Sequence, residues 1–153
     1  MKRCVFCEIV AGRAPCHKVW ENDDFLAFLS ICPNTAGTTV VIPKSHQPSY
    51  VFAAPRKVRE GIMDAAAEVS KILEASFDDI GRVGVVFEGF GVDHLHAKLF
   101  PLHGTRMGEW RAICSELRTF FDTYPGYISS HDGDPASHEQ LALLAQRIRE
   151  GGK

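Results

Sequence analysis

The sequence predicts an α+β domain in which helices pack on an antiparallel sheet of about five strands. Several short stretches combine β-branched and aromatic residues and are bounded by turn residues, which is typical of antiparallel strands. One long stretch, from Pro55 to about Phe77, repeats its apolar residues with a helical period and indicates a helix covering one sheet face. We expect one domain over residues 1–153, with its core at about 1–103 and a helical C-terminal extension at about 104–153.

Strands are expected at five places along the chain, namely residues 18–21, 25–29, 38–42, 83–87 and 93–101. The first two flank the polar run Asn22-Asp23-Asp24 and therefore form a hairpin. The last two are joined by a short glycine-bearing stretch at 88–91, so they are expected to be antiparallel neighbours.

The C-terminal extension is expected to contain two helices. The first runs from about Thr105 to Phe121, because six apolar residues fall on one helical stripe: Trp110, Ile113, Cys114, Leu117, Phe120 and Phe121. The second begins with Asp134 as its N-cap and Pro135 in its first turn, and its buried residues are expected to be Leu141, Leu144, Ala145 and Ile148.

Composition and charge exclude several classes of partner. The 17 basic and 19 acidic residues give a formal charge of −2, so no overall field favours a nucleic acid or a membrane surface. No stretch reaches the roughly 20 apolar residues that span a bilayer. The chain begins without a secretory signal and has an odd number of cysteines, five, which predicts a cytoplasmic protein with reduced thiols.

The last predicted strand contains the strongest functional signal. Its side chains alternate, so that three polar groups, His94, His96 and Lys98, share one face, and apolar side chains take the other: Leu95, Ala97 and Leu99. A solvated face would more commonly contain Thr, Glu or Arg, although one His-x-His pair also occurs by chance. The turn before this strand exposes backbone N–H groups that suit an anion, with an ordinary hairpin turn as the alternative.

Cys4-Val5-Phe6-Cys7 is a second candidate site. Two thiols at this spacing can bind one tetrahedral zinc ion, and histidines would have to complete the ligand set, because there is no second Cys-x-x-Cys. The alternatives are a redox pair, which would need a helix start within a βαβ unit, and two buried thiols that act as small apolar groups.

The order of these motifs resembles that of the histidine triad (HIT) superfamily, in particular bacterial HIT-like proteins that bind zinc. The resemblance covers roughly residues 1–103 and rests on the Cys-x-x-Cys, on Val41-Ile42-Pro43-Lys44-Ser45-His46, on the long helix and on His94 to Pro101. It implies a HIT-like fold, assembly as a homodimer, and nucleotidyl transfer from a small molecule such as a nucleotide or a dinucleoside polyphosphate.

Residue roles follow from this resemblance. His96 would be the nucleophile that attacks the α-phosphorus and forms a covalent nucleotidyl-histidine, with its other ring nitrogen held by a backbone carbonyl. The zinc ligands would be Cys4, Cys7, His46 and His94, a closed set of four that makes the zinc structural.

Three departures from the family pattern bear on function. The third triad position is Lys98, which can hold a phosphate but relays protons poorly. Gly89-Phe90-Gly91 stands where the family has a Gly-Gln-Ser/Thr run that contacts phosphates, which leaves backbone contacts. Ser30 stands where a ribose-binding aspartate often occurs, and Asn34 in the next turn is a further candidate for nucleotide binding.

Three functions are therefore considered. The first is a nucleotidyl hydrolase or transferase, with His96 and Lys98 as catalytic residues and His131 as a conceivable proton relay. The second is a zinc-stabilised module that binds nucleotide with little or no turnover. The third is a metal hydrolase in which His94 and His96 together bind a catalytic zinc.

Overall fold

The computed structural model describes residues 4–130 and 132–143. The elements in chain order are α1 (Val5–Val10), β1 (Lys18–Glu21), β2 (Phe25–Leu29), β3 (Thr39–Pro43), a 3₁₀ turn (Val51–Ala53), α2 (Arg56–Ser76), β4 (Val83–Val86) and β5 (Ala97–Pro101). The five strands form one antiparallel sheet in the order β1-β2-β3-β5-β4. The predicted α+β class, the strand number and the long helix are confirmed.

The fifth strand is shorter than predicted, because it begins at Ala97 rather than at residue 93. The backbone of the preceding residues pairs with the loop after β3 instead of with a strand. Leu95 donates its N–H to the Gln47 carbonyl, and the Ser49 N–H donates to the Asp93 carboxylate. His94 and His96 therefore lie in the segment that leads into β5.

A different helix packs on each face of the sheet. On one face α2 packs over a core that includes Leu95, Ala97 and Leu99, the three residues predicted to point away from the polar face. On the other face Phe6, Ile9 and Val10 of α1 pack against apolar residues of β2 and β3, namely Leu26, Phe28, Val40 and Ile42. Helix α1 was not predicted, and it brings Cys4 and Cys7 to the face of the histidines.

The chain forms two compact units, Met1–Trp110 and Arg111–Lys153. The expectation of a single domain over 1–153 stays a prediction. Among the described residues, no helix is long and apolar enough to span a bilayer.

The helix expected from Thr105 to Phe121 was a wrong prediction, because these residues have no helical structure. A helix of this length gains most of its stability from packing an apolar stripe, and here the stripe stays exposed. Ile113, Leu117 and Phe120 have 61%, 65% and 82% of their surface exposed.

The last helix was correctly expected, but its predicted first residue was wrong. It occupies residues 138–143 of the described chain, and the Ser137 hydroxyl accepts the Gln140 N–H at 3.2 Å, so Ser137 rather than Asp134 is the N-cap. Leu141 is half exposed instead of buried. Three further residues of that prediction, Leu144, Ala145 and Ile148, lie outside the described residues, and so does His131.

The imidazole of His103, just after β5, makes hydrogen bonds to the segment after α2 and to the loop before β3. His103 meets the Asp79 carboxylate through Nδ1 at 3.0 Å and the Ala36 carbonyl through Nε2 at 3.0 Å. Because both partners are acceptors, the protonated ring satisfies both. The Ala36 hydrogen bond, followed by the one to Asp79, raises the pKa of His103, and the His103 hydrogen bond lowers the pKa of Asp79.

Replacing His103 by Gln is expected to lower the melting temperature more at pH 6 than at pH 9. A raised pKa means that the stabilising contribution of His103 is complete below about 6.5 and is lost as the pH rises through the folded-state value. Asp79, whose pKa is lowered, stays ionised throughout this range. Calorimetry at both pH values checks this, with His17→Gln, at an exposed histidine just before β1, as the control. An equal loss at both pH values would contradict it.

Candidate functional site

Three separate parts of the chain bring together two thiols and two imidazoles. Cys4 is the N-cap of α1 and Cys7 lies one turn later, so both sulfurs lie on the same side of the helix. His46 follows the end of β3 by three residues, and His94 lies in the segment leading into β5. Because β3 and β5 are antiparallel neighbours, the end of β3 and the start of β5 lie at the same end of the sheet, and so do both histidines.

The distances within this Cys/His cluster fit a tetrahedral metal. The His94 Nδ1 lies 3.4 Å from Cys4 Sγ and 3.6 Å from Cys7 Sγ, and His46 Nδ1 lies 3.5 Å from Cys7 Sγ. All four ligand atoms lie within 4.8 Å of one another. Bonds of about 2.3 Å to sulfur and about 2.0 Å to nitrogen place S and N of a tetrahedral site roughly 3.5 Å apart. The four residues could therefore hold a metal ion.

The ring of His94 is fixed in the orientation that a ligand needs. It is fully buried, and its Nε2–H donates to the Pro43 carbonyl at 2.9 Å, so the Nδ1 lone pair faces the sulfurs. Burial is the main reason that the pKa of His94 is lowered, which favours the neutral ring that binds metals.

The two thiols lie close together. Burial raises the pKa of Cys7, the hydrogen bond with Cys4 raises it further, and repulsion between two thiolates adds to both effects. A metal ion offsets that repulsion. All five cysteines of the chain are free, including these two.

His96 has only one ring nitrogen available. Its Nδ1–H donates to the carbonyl of His94 at 2.7 Å, so the lone pair for chemistry is on Nε2. The ring is 4% exposed and packs edge-on against Phe6, whose ring also contacts His94. Burial lowers the pKa of His96, and the charge of Lys98 adds to that effect, so the ring is neutral near pH 7.

Lys98, at the third position of this row, is paired with a residue that the sequence analysis missed. Its ammonium lies 3.2 Å from the Glu88 carboxylate, which has only 14% of its side-chain surface exposed. Lys98 pairs with Val86 of β4, and Glu88 follows two residues later along the chain. The predicted pairing of these two strands was the signal that could have identified Glu88.

The three predicted phosphate-binding residues before β5 differ in their surroundings. Gly89 has φ of +80°, and a Cβ there would lie 3.1 Å from the Ser49 carbonyl oxygen, so close approach of the two loops requires glycine. A Cβ on Gly91 would meet nothing within 4 Å, so open space lies beside it. Phe90 between them is 80% exposed.

Ser30 and Asn34 lie in the loop between β2 and β3. Their hydrogen bonds stay within that loop, from the Cys32 N–H to the Ser30 hydroxyl and from the Thr38 hydroxyl to the Asn34 amide oxygen. The loop leaves the sheet at the level of Lys98 and Leu99, because Phe28 and Leu29 pair with Val40 and Thr39 of β3. It therefore lies toward Lys98 and at the opposite end of the sheet from the Cys/His cluster.

In the described part of the chain, the group of closely spaced metal-ligating atoms consists of Cys4, Cys7, His46 and His94 and leaves out His96. This arrangement favours the four-ligand centre over the alternative in which His94 and His96 bind one metal together. His96 is instead hydrogen-bonded through Nδ1–H to the backbone carbonyl of His94.

A family model described as "HIT domain" matches residues 11–105 of this chain. The chain belongs to the HIT family. Protein hit of Bacillus subtilis (strain 168) is 32% identical to this HIT protein over 107 residues, which cover 67% of this chain and 73% of the relative. The adenosine 5′-monophosphoramidase hnt1 of Schizosaccharomyces pombe is 33% identical over 102 residues, covering 64% of this chain and 73% of that one.

A solved structure extends the similarity over nearly the whole chain. A HIT family protein from Bacillus anthracis is 26% identical to this HIT protein, with a TM-score of 0.62 and coverage of 99% of both chains. The matched range of this chain includes His46, His94, His96 and Lys98, whereas Cys4 and Cys7 precede it.

The purified HIT protein is expected to contain about one metal ion per chain, because the four ligand atoms already have tetrahedral spacing. Cys7→Ala is expected to lose most of that metal and to lower the melting temperature by several degrees, since metal binding stabilises only the folded state. Elemental analysis by mass spectrometry measures the metal content. The matched control is Cys16→Ala, a thiol outside the cluster, and equal metal content in both variants would contradict the assignment.

Proposed function

We propose that this HIT protein is a nucleotidyl hydrolase or transferase that acts at the α-phosphate of a nucleotide conjugate. In the first step, the Nε2 lone pair of His96 forms a bond to phosphorus, and the leaving group departs with the electrons of its own bond; an amine leaving group also takes up a proton from solvent. In the second step, water or another acceptor attacks phosphorus. The P–N bond then breaks, its electrons return to Nε2, and the acceptor's proton passes to solvent.

The hydrogen bond from His96 Nδ1 to the His94 carbonyl is the observation that carries this proposal. It fixes the tautomer that has its lone pair on Nε2. It also stabilises the nucleotidylated ring, which carries a positive charge while Nδ1 keeps its proton.

Two further groups support phosphate chemistry beside His96. Lys98 supplies a positive charge for the phosphoryl oxygens, and the backbone at Gly91 borders open space that a phosphate can enter. The relative from Schizosaccharomyces pombe is called an adenosine 5′-monophosphoramidase, which supports hydrolysis of a nucleotide substrate by this chain as well. We assign nucleotide contacts also to Ser30, Asn34, Gly89 and Phe90.

Zinc is the metal that we propose for the Cys/His cluster. Two thiolates and two imidazoles are soft and borderline ligands that suit zinc, and four protein ligands leave no open position for water. The metal would supply structure: it would tie α1 to the sheet and orient His94, and through it His96. Free Cys4 and Cys7 are needed for this role, which fits a cytoplasmic location.

A nucleotide-binding module with little turnover is the second candidate. The ion pair between Lys98 and Glu88 favours it, because the third triad position then offers an engaged ammonium instead of a group that exchanges protons readily. The zinc, the phosphate contacts and the fold would be the same in both candidates.

His96→Ala is expected to abolish formation of nucleoside monophosphate, with a loss of at least about 10³-fold, because no other group replaces the nucleophile. Mass spectrometry would follow products from nucleoside phosphoramidates, dinucleoside polyphosphates and nucleotide sugars, with and without inorganic phosphate. The control is His17→Gln, an exposed histidine away from the triad segment.

Three outcomes separate the candidates. A monophosphate formed by wild type alone identifies a hydrolase, and a product that requires inorganic phosphate identifies a transferase. Bound ligand without product over hours favours the binding module. Turnover by His96→Ala at the wild-type rate would contradict the role of His96.

We also propose that the protein is a homodimer. Within the unit Arg111–Lys153, many large apolar side chains are exposed in a single chain, among them Ile113, Leu117, Phe120, Tyr127 and Ile128. Exposed large apolar side chains that are grouped in one segment are typical of an interaction surface. A second copy would cover it.

Light scattering is expected to give twice the 16.9 kDa mass of one chain. Phe120→Glu is expected to shift the protein toward monomer at micromolar concentration, because a charge placed in an apolar interface is costly. Ser130→Glu, at a polar exposed position of the same unit, serves as the control. A monomeric wild type at all concentrations would contradict the proposal.

A further inference from the structure

Glu88 lies beside the proposed site, and the proposed reaction gives it no role. Its side chain is largely buried and its carboxylate lies 3.2 Å from the Lys98 ammonium. The side chain of Lys98 is 37% exposed, and an ion pair with a solvated partner adds little to stability. The place of this carboxylate beside the proposed nucleophile gives it another use.

The pair lies next to the proposed nucleophile. Lys98 follows His96 by two residues, and Glu88 is brought to Lys98 by β4, whose Val86 pairs with Lys98. The Lys98 ammonium and the Glu88 carboxylate therefore both lie near the imidazole of His96. A group that leaves phosphorus at His96 would come close to both charges.

We propose that Glu88 determines the charge of the leaving group, so that the site favours amines and disfavours phosphates and polyphosphates. This inference rests on the proposed function and narrows its substrate class. The ammonium of Lys98 can contact an α-phosphoryl oxygen, while the Glu88 carboxylate cancels that positive charge for groups farther away. An amine is neutral or cationic and meets no repulsion, whereas a polyphosphate brings several negative charges toward a carboxylate.

Burial makes the effect of Glu88 stronger than that of a surface carboxylate. Its side chain is 14% exposed, so solvent and salt screen its charge poorly. Lys98 is 37% exposed and stays solvated without its partner, so the Glu88→Gln variant is expected to fold.

The test compares two substrates: adenosine 5′-phosphoramidate, which would lose ammonia, and diadenosine tetraphosphate, which would lose ATP. The ratio of their kcat/KM values is measured for wild type, Glu88→Gln and Glu88→Asp. Glu88→Gln is expected to shift the ratio about tenfold toward the tetraphosphate, and Glu88→Asp, which keeps the charge, is expected to retain the wild-type preference. The matched control is Glu60→Gln, an exposed glutamate that pairs with Arg56 on α2.

An unchanged ratio in Glu88→Gln would overturn the proposal, whether the two kcat/KM values stay as in wild type or fall equally. An equal fall in both would make the ion pair purely structural.

Binding measurements separate this inference from the proposed reaction. In a His96→Ala background, calorimetry gives the dissociation constants of both intact substrates, first with Glu88 retained and then with the added substitution Glu88→Gln. If wild type turns over neither substrate, the proposed reaction fails, but a shift in the ratio of dissociation constants toward the tetraphosphate still supports charge selection. If Glu88→Gln leaves the ratio of dissociation constants unchanged as well, charge selection by Glu88 is ruled out.

Discussion

The hydrogen bond from His94 Nε2 to the Pro43 carbonyl is the contact on which the rest of the site depends. It joins the end of β3 to the segment leading into β5 at a point where the two strands are no longer paired through their backbones. With Nε2 held there, Nδ1 of the same ring faces Cys4 and Cys7, and the backbone carbonyl of the same residue accepts from His96. One residue thus orients both the candidate metal centre and the candidate nucleophile.

This arrangement explains how a short helix can serve a buried site. Helix α1 has only six residues and packs through Phe6, Ile9 and Val10, which is little apolar surface to hold it on the sheet. Ligation of Cys4 and Cys7 to a metal that also binds His46 and His94 would add a second attachment. Phe6 lies between these attachments and contacts the rings of His94 and His96, so the position of α1 also shields both imidazoles from water.

The sequence predicted those parts of the fold whose local pattern agrees with their tertiary environment. The α2 stripe is buried and the β2 and β3 strands pack on both faces, so periodicity and structure coincide there. The stretch 105–121 has an equally good helical stripe without an apolar surface to cover, and it is not helical. Helix α1 was missed because its local sequence gives little helix signal. It has no side-chain cap, and Phe6 and Ile9 hold it in place by packing on β2 and β3.

The site could be predicted as a set of residues but not as a set of interactions. The resemblance to the HIT superfamily, rather than spacing alone, implied the four residues that the structure brings together as the Cys/His cluster. Glu88 belongs to no motif, because a glutamate before a glycine turn is common; only the register of the predicted strand pair, which sets Val86 opposite Lys98, relates it to the site. The charge of Lys98 alone is therefore an incomplete description of this position, because the largely buried Glu88 carboxylate lies 3.2 Å from its ammonium.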